Sequence, residues 1–232
     1  MIYIIGDLHL GFSVNKPMNI FGNNWDNHYE KIKQNWLDKV NNSDTVIIPG
    51  DFSWGIDLIE SKLDFEYLNK LPGKKILLKG NHDYWWTTVT KMNNYLKEND
   101  FKNIYFLYNN SYFIEDKIIV GTKGWTTINP KLEENYRILK RECSRLELSI
   151  KDGINNYGDK EIIAFMHYPP FYKEEINDEI NFISILKKYG IKKCFYGHLH
   201  GEAHKEANEG LIEGIYFKLI SSDYINFNLI EL

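Results

Sequence analysis

The chain has 232 residues, 43% of them hydrophobic and 26% charged, with a net charge of −4 and a pI near 6.0. That is enough chain for one large α/β domain, 1–232, with a substantial core, and it argues against a basic nucleic-acid-binding domain, whose pI usually exceeds about 9. Two separate cysteines, Cys143 and Cys194, make neither a disulfide framework nor a metal motif, the N-terminus lacks a basic leader, and no run approaches the roughly 20 apolar residues of a membrane span, so a cytoplasmic protein is expected.

The elements alternate from the start. Residues 2–5 read as a buried strand that runs into Gly6-Asp7-Leu8-His9. A loop rich in Asn, Gly and Pro follows. Then Tyr29, Ile32, Trp36, Leu37 and Val40 recur at helical spacing, predicting a helix over 27–41. Residues 45–49 form a second strand, closed by Gly50-Asp51-Phe52-Ser53-Trp54. Asp57 with Glu60 three residues on predicts a helix start of the capping-box kind, and Leu71-Pro72-Gly73 ends that helix. A third strand over 75–79 leads into Gly80-Asn81-His82-Asp83, and 85–98 reads as a helix with Val89, Met92 and Leu96 on one face.

Short β segments are predicted at 104–107, 112–114 and 118–121, with Glu115-Asp116-Lys117 as a hairpin tip. Leu132, Tyr136, Leu139, Cys143, Leu146 and Ile150 alternate steps of four and three, predicting a helix over 131–151. Gly153–Gly158 reads as a break. A strand at 162–165 ends in His167, a helix covers 179–189, and a strand at 194–196 ends in Gly197-His198-Leu199-His200. Residues 211–220 and 224–231 read as closing strands. The βαβαβα first half implies parallel strands with right-handed crossovers; the later hairpins imply a mixed or antiparallel part. Two stacked sheets flanked by helices accommodate both.

Five strand ends carry polar clusters: Asp7 with His9, Asp51, Asn81 with His82 and Asp83, His167, and His198 with His200. Five of the seven histidines are in this set. The two-residue spacing of Asp7-x-His9 and His198-x-His200 sets both side chains on one face of an extended backbone. Asp7, His9, Asp51, Asn81, His167, His198 and His200 make seven mixed O and N donors. A single structural zinc site needs about four; seven suit two metals about 3.5–4 Å apart, a clamp for in-line attack at phosphorus by a bridging hydroxide. His82 remains as a general acid for the leaving oxygen, with Asp83 beside it to orient its ring.

These blocks, in this order over residues 6–200, resemble the calcineurin-like metallophosphoesterases. The resemblance implies a metallo-dependent phosphatase-like fold, a four-layer αββα sandwich with two mixed sheets. It implies Asp7, His9, Asp51 and His200 on one metal, Asp51 bridging to a second held by Asn81, His167 and His198, and His82 as the catalytic histidine. The run from Gly50 to Trp86 is similar to a bacterial branch of predicted phosphohydrolases. Phe52-Ser53-Trp54 depart from the polar residues that many relatives carry after the second block. The expected activity is hydrolysis of a small phosphomonoester or phosphodiester with two transition-metal ions (Mn, Fe or Zn), a nuclease and a non-enzymatic scaffold being the alternatives. No membrane or nucleic-acid partner is expected.

Four side-chain groups lie outside that set. His28 is expected solvated or packed near Trp25, and His204 solvated or behind the ligands. Arg137, Arg141 and Arg145 recur at spacing four and are expected to form a solvated helix face. Trp54, Trp85, Trp86 and Trp125 adjoin strand-end loops; core packing is the default, and an aromatic rim over the site is the functional alternative.

Overall fold

The computed structural model describes residues 1–125, 133–172 and 181–232. Strands β1 (Ile2–Ile4), β2 (Thr45–Pro49), β3 (Lys74–Leu78) and β4 (Ile104–Phe106) pair in parallel, linked by helices α1 (His28–Lys39), α2 (Lys62–Lys70) and α3 (Val89–Glu98). Their apolar side chains split by parity, as a pleated strand requires. Tyr3, Ile5, Val46, Ile48 and Leu77 pack beneath the helices, while Ile2, Ile4, Ile47, Ile76 and Leu78 face the other way.

The second sheet holds β5 (Tyr112–Ile114), β6 (Lys117–Thr122), β7 (Glu161–Met166), β8 (Lys193–Tyr196), β9 (Gly210–Ile212) and β10 (Ile215–Leu219), in the order β5-β6-β7-β8-β10-β9. Helices α4 (Glu133–Tyr157) and α5 (Phe182–Lys188) cover its outer face through Leu139, Cys143, Leu146, Ile150, Phe182 and Leu186. Its inner face sends Ile119, Ile163, Phe165 and Phe195 against the first sheet. The chain returns to the first sheet as β11 (Ile230–Glu231), antiparallel to β1. The result is the expected four-layer αββα sandwich with two mixed sheets. Among the described residues no helix is long and apolar enough to cross a membrane.

The differences from expectation have local causes. Gly153 lies inside α4; a Cβ there would sit 2.4 Å from Ile118 Cγ2, so this glycine marks a close helix–sheet approach, not a break. The Asp57 carboxylate accepts from the Ile59 and Glu60 amides, but this caps a turn, and α2 begins only at Lys62. Helix α3 starts at Val89, with Thr88 as its cap, because Trp85 and Trp86 are held in the turn that follows Asp83. Residues 211–220 are a hairpin, turned at Glu213-Gly214 where both residues have positive φ. Residues 224–227 are turn, and only Ile230–Glu231 pairs. Parts of the expected 131–151 and 179–189 helices lie outside the described residues.

Candidate metal centre

The carboxyl ends of β1, β2, β3, β7 and β8 bring all seven sequence-predicted donors into one cleft. On one side, Asn81 Oδ1 lies 2.6 Å from His167 Nε2 and 2.8 Å from His198 Nδ1, and the two nitrogens are 3.2 Å apart. The other ring nitrogen of His167, Nδ1, lies 3.2 Å from the Pro49 carbonyl. A carbonyl can only accept, so Nδ1 carries the proton and Nε2 presents a bare lone pair to the Asn81 oxygen. Acceptors turned on one another at this distance repel unless a positive group joins them.

A second group gathers beside it. His9 Nε2 and His200 Nε2 are 3.2 Å apart, and Asp7 Oδ1 lies 3.6 Å from His200 Nε2. Asp51 Oδ2 is 3.8 Å from His9 Nε2 and 3.6 Å from His167 Nε2, so it lies between the two groups. His200 Nδ1 donates to Asp223 Oδ1 at 2.8 Å, which turns its Nε2 toward the cleft. A carboxylate or carbonyl behind a ligating imidazole is the usual way to fix its tautomer and aim. Metal–ligand bonds of about 2.0–2.2 Å place neighbouring donors about 3–3.5 Å apart, so the donor set fits metal cations.

Charge tells the same story. Burial pushes the Asp51 carboxyl well up, and the neighbouring Asp83 and Asp7 push it further. Burial holds His9, His167 and His198 down, His198 to about 3, so these rings are neutral, the form that binds metal. Burial also opposes charge on His200, yet Asp223 and Asp7 overcome it and raise that ring to about 10. Three buried carboxylates, Asp7, Asp51 and Asp83, thus create a local demand for positive charge.

The backbone is shaped to this end. Asp7, His9, Asp51 and His198 all have positive φ, from 46° to 76°, a strained region for residues other than glycine. The two x-spaced pairs therefore converge from tight turns and not from extended strand. Gly80 and Gly197 allow close approach: a Cβ would lie 2.0 Å from Asp51 Oδ1 at the first and 2.2 Å from Asp7 Oδ2 at the second.

Asp83 does not orient His82. Its Oδ2 accepts from the Gly80 and Asp51 amides at 2.7 and 2.9 Å; its Oδ1 accepts from Phe52, Ser53 and Trp85 Nε1 at 2.9, 3.3 and 3.0 Å. Both oxygens are spent on the two loops that carry Asp51 and Asn81. The carboxylate is a strut between them, because a fully buried acid next to five N–H groups has no capacity left for a sixth donor. His82 is held by its own amide on Asp51 Oδ1 at 2.8 Å. Its ring lies 4.5 Å from Trp54, centroid to centroid, and its Nδ1 has no hydrogen-bond partner among the described residues.

Comparison with known proteins decides the family. The family model for calcineurin-like phosphoesterases matches residues 1–202. The chain belongs to the calcineurin-like phosphoesterase family. Solved structures share the fold: a protein of unknown function from Aquifex aeolicus is 18% identical with a TM-score of 0.51, covering 99% of this chain and 94% of that one. A phosphopantetheinyl hydrolase from Mycobacterium tuberculosis is 11% identical with a TM-score of 0.53, covering 99% and 95%. No curated protein matches the chain.

Around the candidate donor cluster of this calcineurin-like phosphoesterase the tryptophans divide. Trp85 and Trp86 are core, packed on Phe65 and Phe106. Trp54 stacks on His9 at 4.8 Å, with Lys16 Nζ over its ring 4.0 Å from the centroid, and Trp25 meets His9 and His200 edge-on. Trp125 is half-buried against Tyr168. Beside His9, a cavity of about 230 Å³ is bounded by Phe12, Lys16, Met18, Trp25 and Tyr29. His28 is buried against Trp25, as one of its two expected placements had it. His204 lies 3.2 Å from Asp223, behind the ligands. Asp223 escaped the sequence reading, since nothing in Ser221-Ser222-Asp223 marks it as more than a turn. The arginine face is solvated at Arg137 and Arg141 and departs from expectation at Arg145, which is half-buried; Arg141 and Arg145 both bind the fully buried Glu142, at 3.3 and 2.6 Å.

Proposed function

We propose that this chain hydrolyses small phosphoesters with two metal ions, one held by Asn81, His167 and His198 and the other by Asp7, His9 and His200, with Asp51 shared. The observation that carries this reading is the convergence of Asn81 Oδ1, His167 Nε2 and His198 Nδ1 to within 2.6–3.2 Å of one another, with Asp51 between them and the His9–His200 pair. Cations bound there supply Lewis acidity at the phosphoryl oxygens and acidify a water enough to attack at neutral pH.

The protein's own part is positional. Asp223 and the Pro49 carbonyl hold the His200 and His167 tautomers. Asp83 ties the Asp51 and Asn81 loops together. His82, next to the donors and partly open to solvent, hands a proton to the leaving oxygen. The cavity beside His9 accepts the leaving group, with Lys16, whose ammonium rests on Trp54, in its lining. Its size of about 230 Å³ suits a small ester, and the net charge of −4 gives no broad footprint for a polynucleotide.

The test is turnover of phosphomonoesters, phosphodiesters, nucleotides and DNA with the metal varied. Small esters hydrolysed with Mn, Fe or Zn, and not after chelation, is the expected result. Turnover that survives exhaustive chelation overturns the proposal, and preference for DNA favours the nuclease alternative.

A further inference from the structure

Resting on that reading, we infer that Lys79, Lys123 and Arg145 form an anion subsite beside the candidate metal centre, so that the favoured substrates are phosphoesters carrying a second phosphate a few bonds from the scissile one.

The cluster adjoins the donors through the backbone. Lys79 directly follows β3, two residues before Asn81. Lys123 follows β6, and its carbonyl accepts from the His167 and Tyr168 amides at 3.2 and 2.9 Å. The Lys123 ammonium lies 5.5 Å from the Tyr168 ring, which in turn stacks 4.2 Å from His198. On the far side Arg145 donates to the Tyr108 hydroxyl at 2.8 Å and to Glu142. Lys79, Lys123 and Arg145 meet around a notch of about 20 Å³ that Thr122 and Asn109 complete. That is room for one water-sized group, such as one oxygen of an anion whose remainder stays in the cleft.

The charge count points to a ligand. The buried carboxylates near these cations are already engaged: Glu142 by Thr122 at 2.8 Å and by both arginines, and Asp83, which also acts on Lys79, by its five N–H donors. Among the described residues no carboxylate lies within ion-pair distance of the Lys79 or Lys123 ammonium, although both side chains are half-buried. The Lys123 ammonium rests only on the Trp125 and Tyr168 rings, at 4.7 and 5.5 Å; partly desolvated cations with no anionic partner among the described residues weaken a fold, and a phosphate supplies that partner through charge-assisted hydrogen bonds.

Two measurements test this. The first is binding of inorganic pyrophosphate to chelator-treated protein. Lys79→Gln and Lys123→Gln should each weaken it at least about tenfold, with melting temperature unchanged or raised, since neither change orphans a carboxylate; Arg137→Gln should leave it unchanged. The second compares kcat/KM for propane-1,3-diol bisphosphate with that for propyl phosphate in the metal-loaded enzyme. The wild type should favour the bisphosphate, and the two lysine variants should lose most of that preference. Pyrophosphate binding equal in wild type and lysine variants overturns the subsite. Weakened pyrophosphate binding with no bisphosphate preference overturns its assignment to substrate and leaves a free-anion site. If neither ester is hydrolysed with any divalent metal, the hydrolase proposal falls, and the pyrophosphate measurement still decides the subsite.

Discussion

Replacing Asp83 by Asn separates two roles for that carboxylate. As a strut it accepts three N–H groups on Oδ1 and two on Oδ2. Asn keeps one acceptor oxygen. With that oxygen on the three-donor side, its NH2 group faces the Gly80 and Asp51 amides, leaving two buried donors unpaired. At about 1–3 kcal/mol each, the loss is about 2–6 kcal/mol, trimmed by no longer burying a charge. A loss near 4 kcal/mol is a large share of a typical folding free energy of about 5–15 kcal/mol. For a chain of this size it lowers the melting temperature by about 10 °C. Because the two tethered loops carry Asp51 and Asn81, metal affinity should fall as well. Thermal or urea unfolding and metal titration by calorimetry measure both. A variant with wild-type stability and metal affinity that loses only turnover would refute the strut and restore Asp83 as the partner of His82.

Three further outcomes are expected. His82→Ala should keep bound metal and lose turnover by about 10²–10⁴-fold, most for esters with poor leaving groups; an equal loss for all leaving groups speaks against proton donation. Asp223→Asn should weaken metal binding by about 10–100-fold, with activity recovering at high metal concentration, as a metal titration of activity will show. Lys75 is fully buried with its ammonium on the Leu71 carbonyl, and burial lowers it from 10.5 to about 7. The unfolded chain therefore holds more protons between pH 7 and 10.5, so stability rises with pH across that window. Lys75→Met should remove the rise and stabilise the protein at pH 7 and below, by at most about 5 kcal/mol at about 1.4 kcal/mol per pH unit; urea unfolding at pH 6.5 and 10 reads it directly.

The layers and the donors were legible because both are written in local patterns. Parity in Ile2-Tyr3-Ile4-Ile5 and steps of three and four in Leu139, Cys143, Leu146 and Ile150 report which face meets the core. Strand-end blocks report the donors because parallel strands bring those ends together. What escaped depends on neighbours distant in sequence. Asp83 is adjacent to His82 in the chain, yet its partners are set by the loop of β2, 30–32 residues away. Asp223 acquires its meaning from His200, 23 residues earlier. Gly153 looked like a break because the approach of Ile118 has no signature in the helix's own sequence. Arg145 looked solvated because its partner Glu142 gives no sign in sequence of being buried.

The most direct test of the centre is the number and position of its metals. Reconstituted protein should hold two metal ions per chain by elemental analysis. Anomalous diffraction should place one among Asn81, His167 and His198 and one among Asp7, His9 and His200, and Asp51→Asn should lose metal and activity together. A single ion confined to the neighbouring group of His200, His204 and Asp223, whose donor atoms also lie within 4.8 Å of one another, or an Asp51→Asn variant that retains both ions, would contradict it.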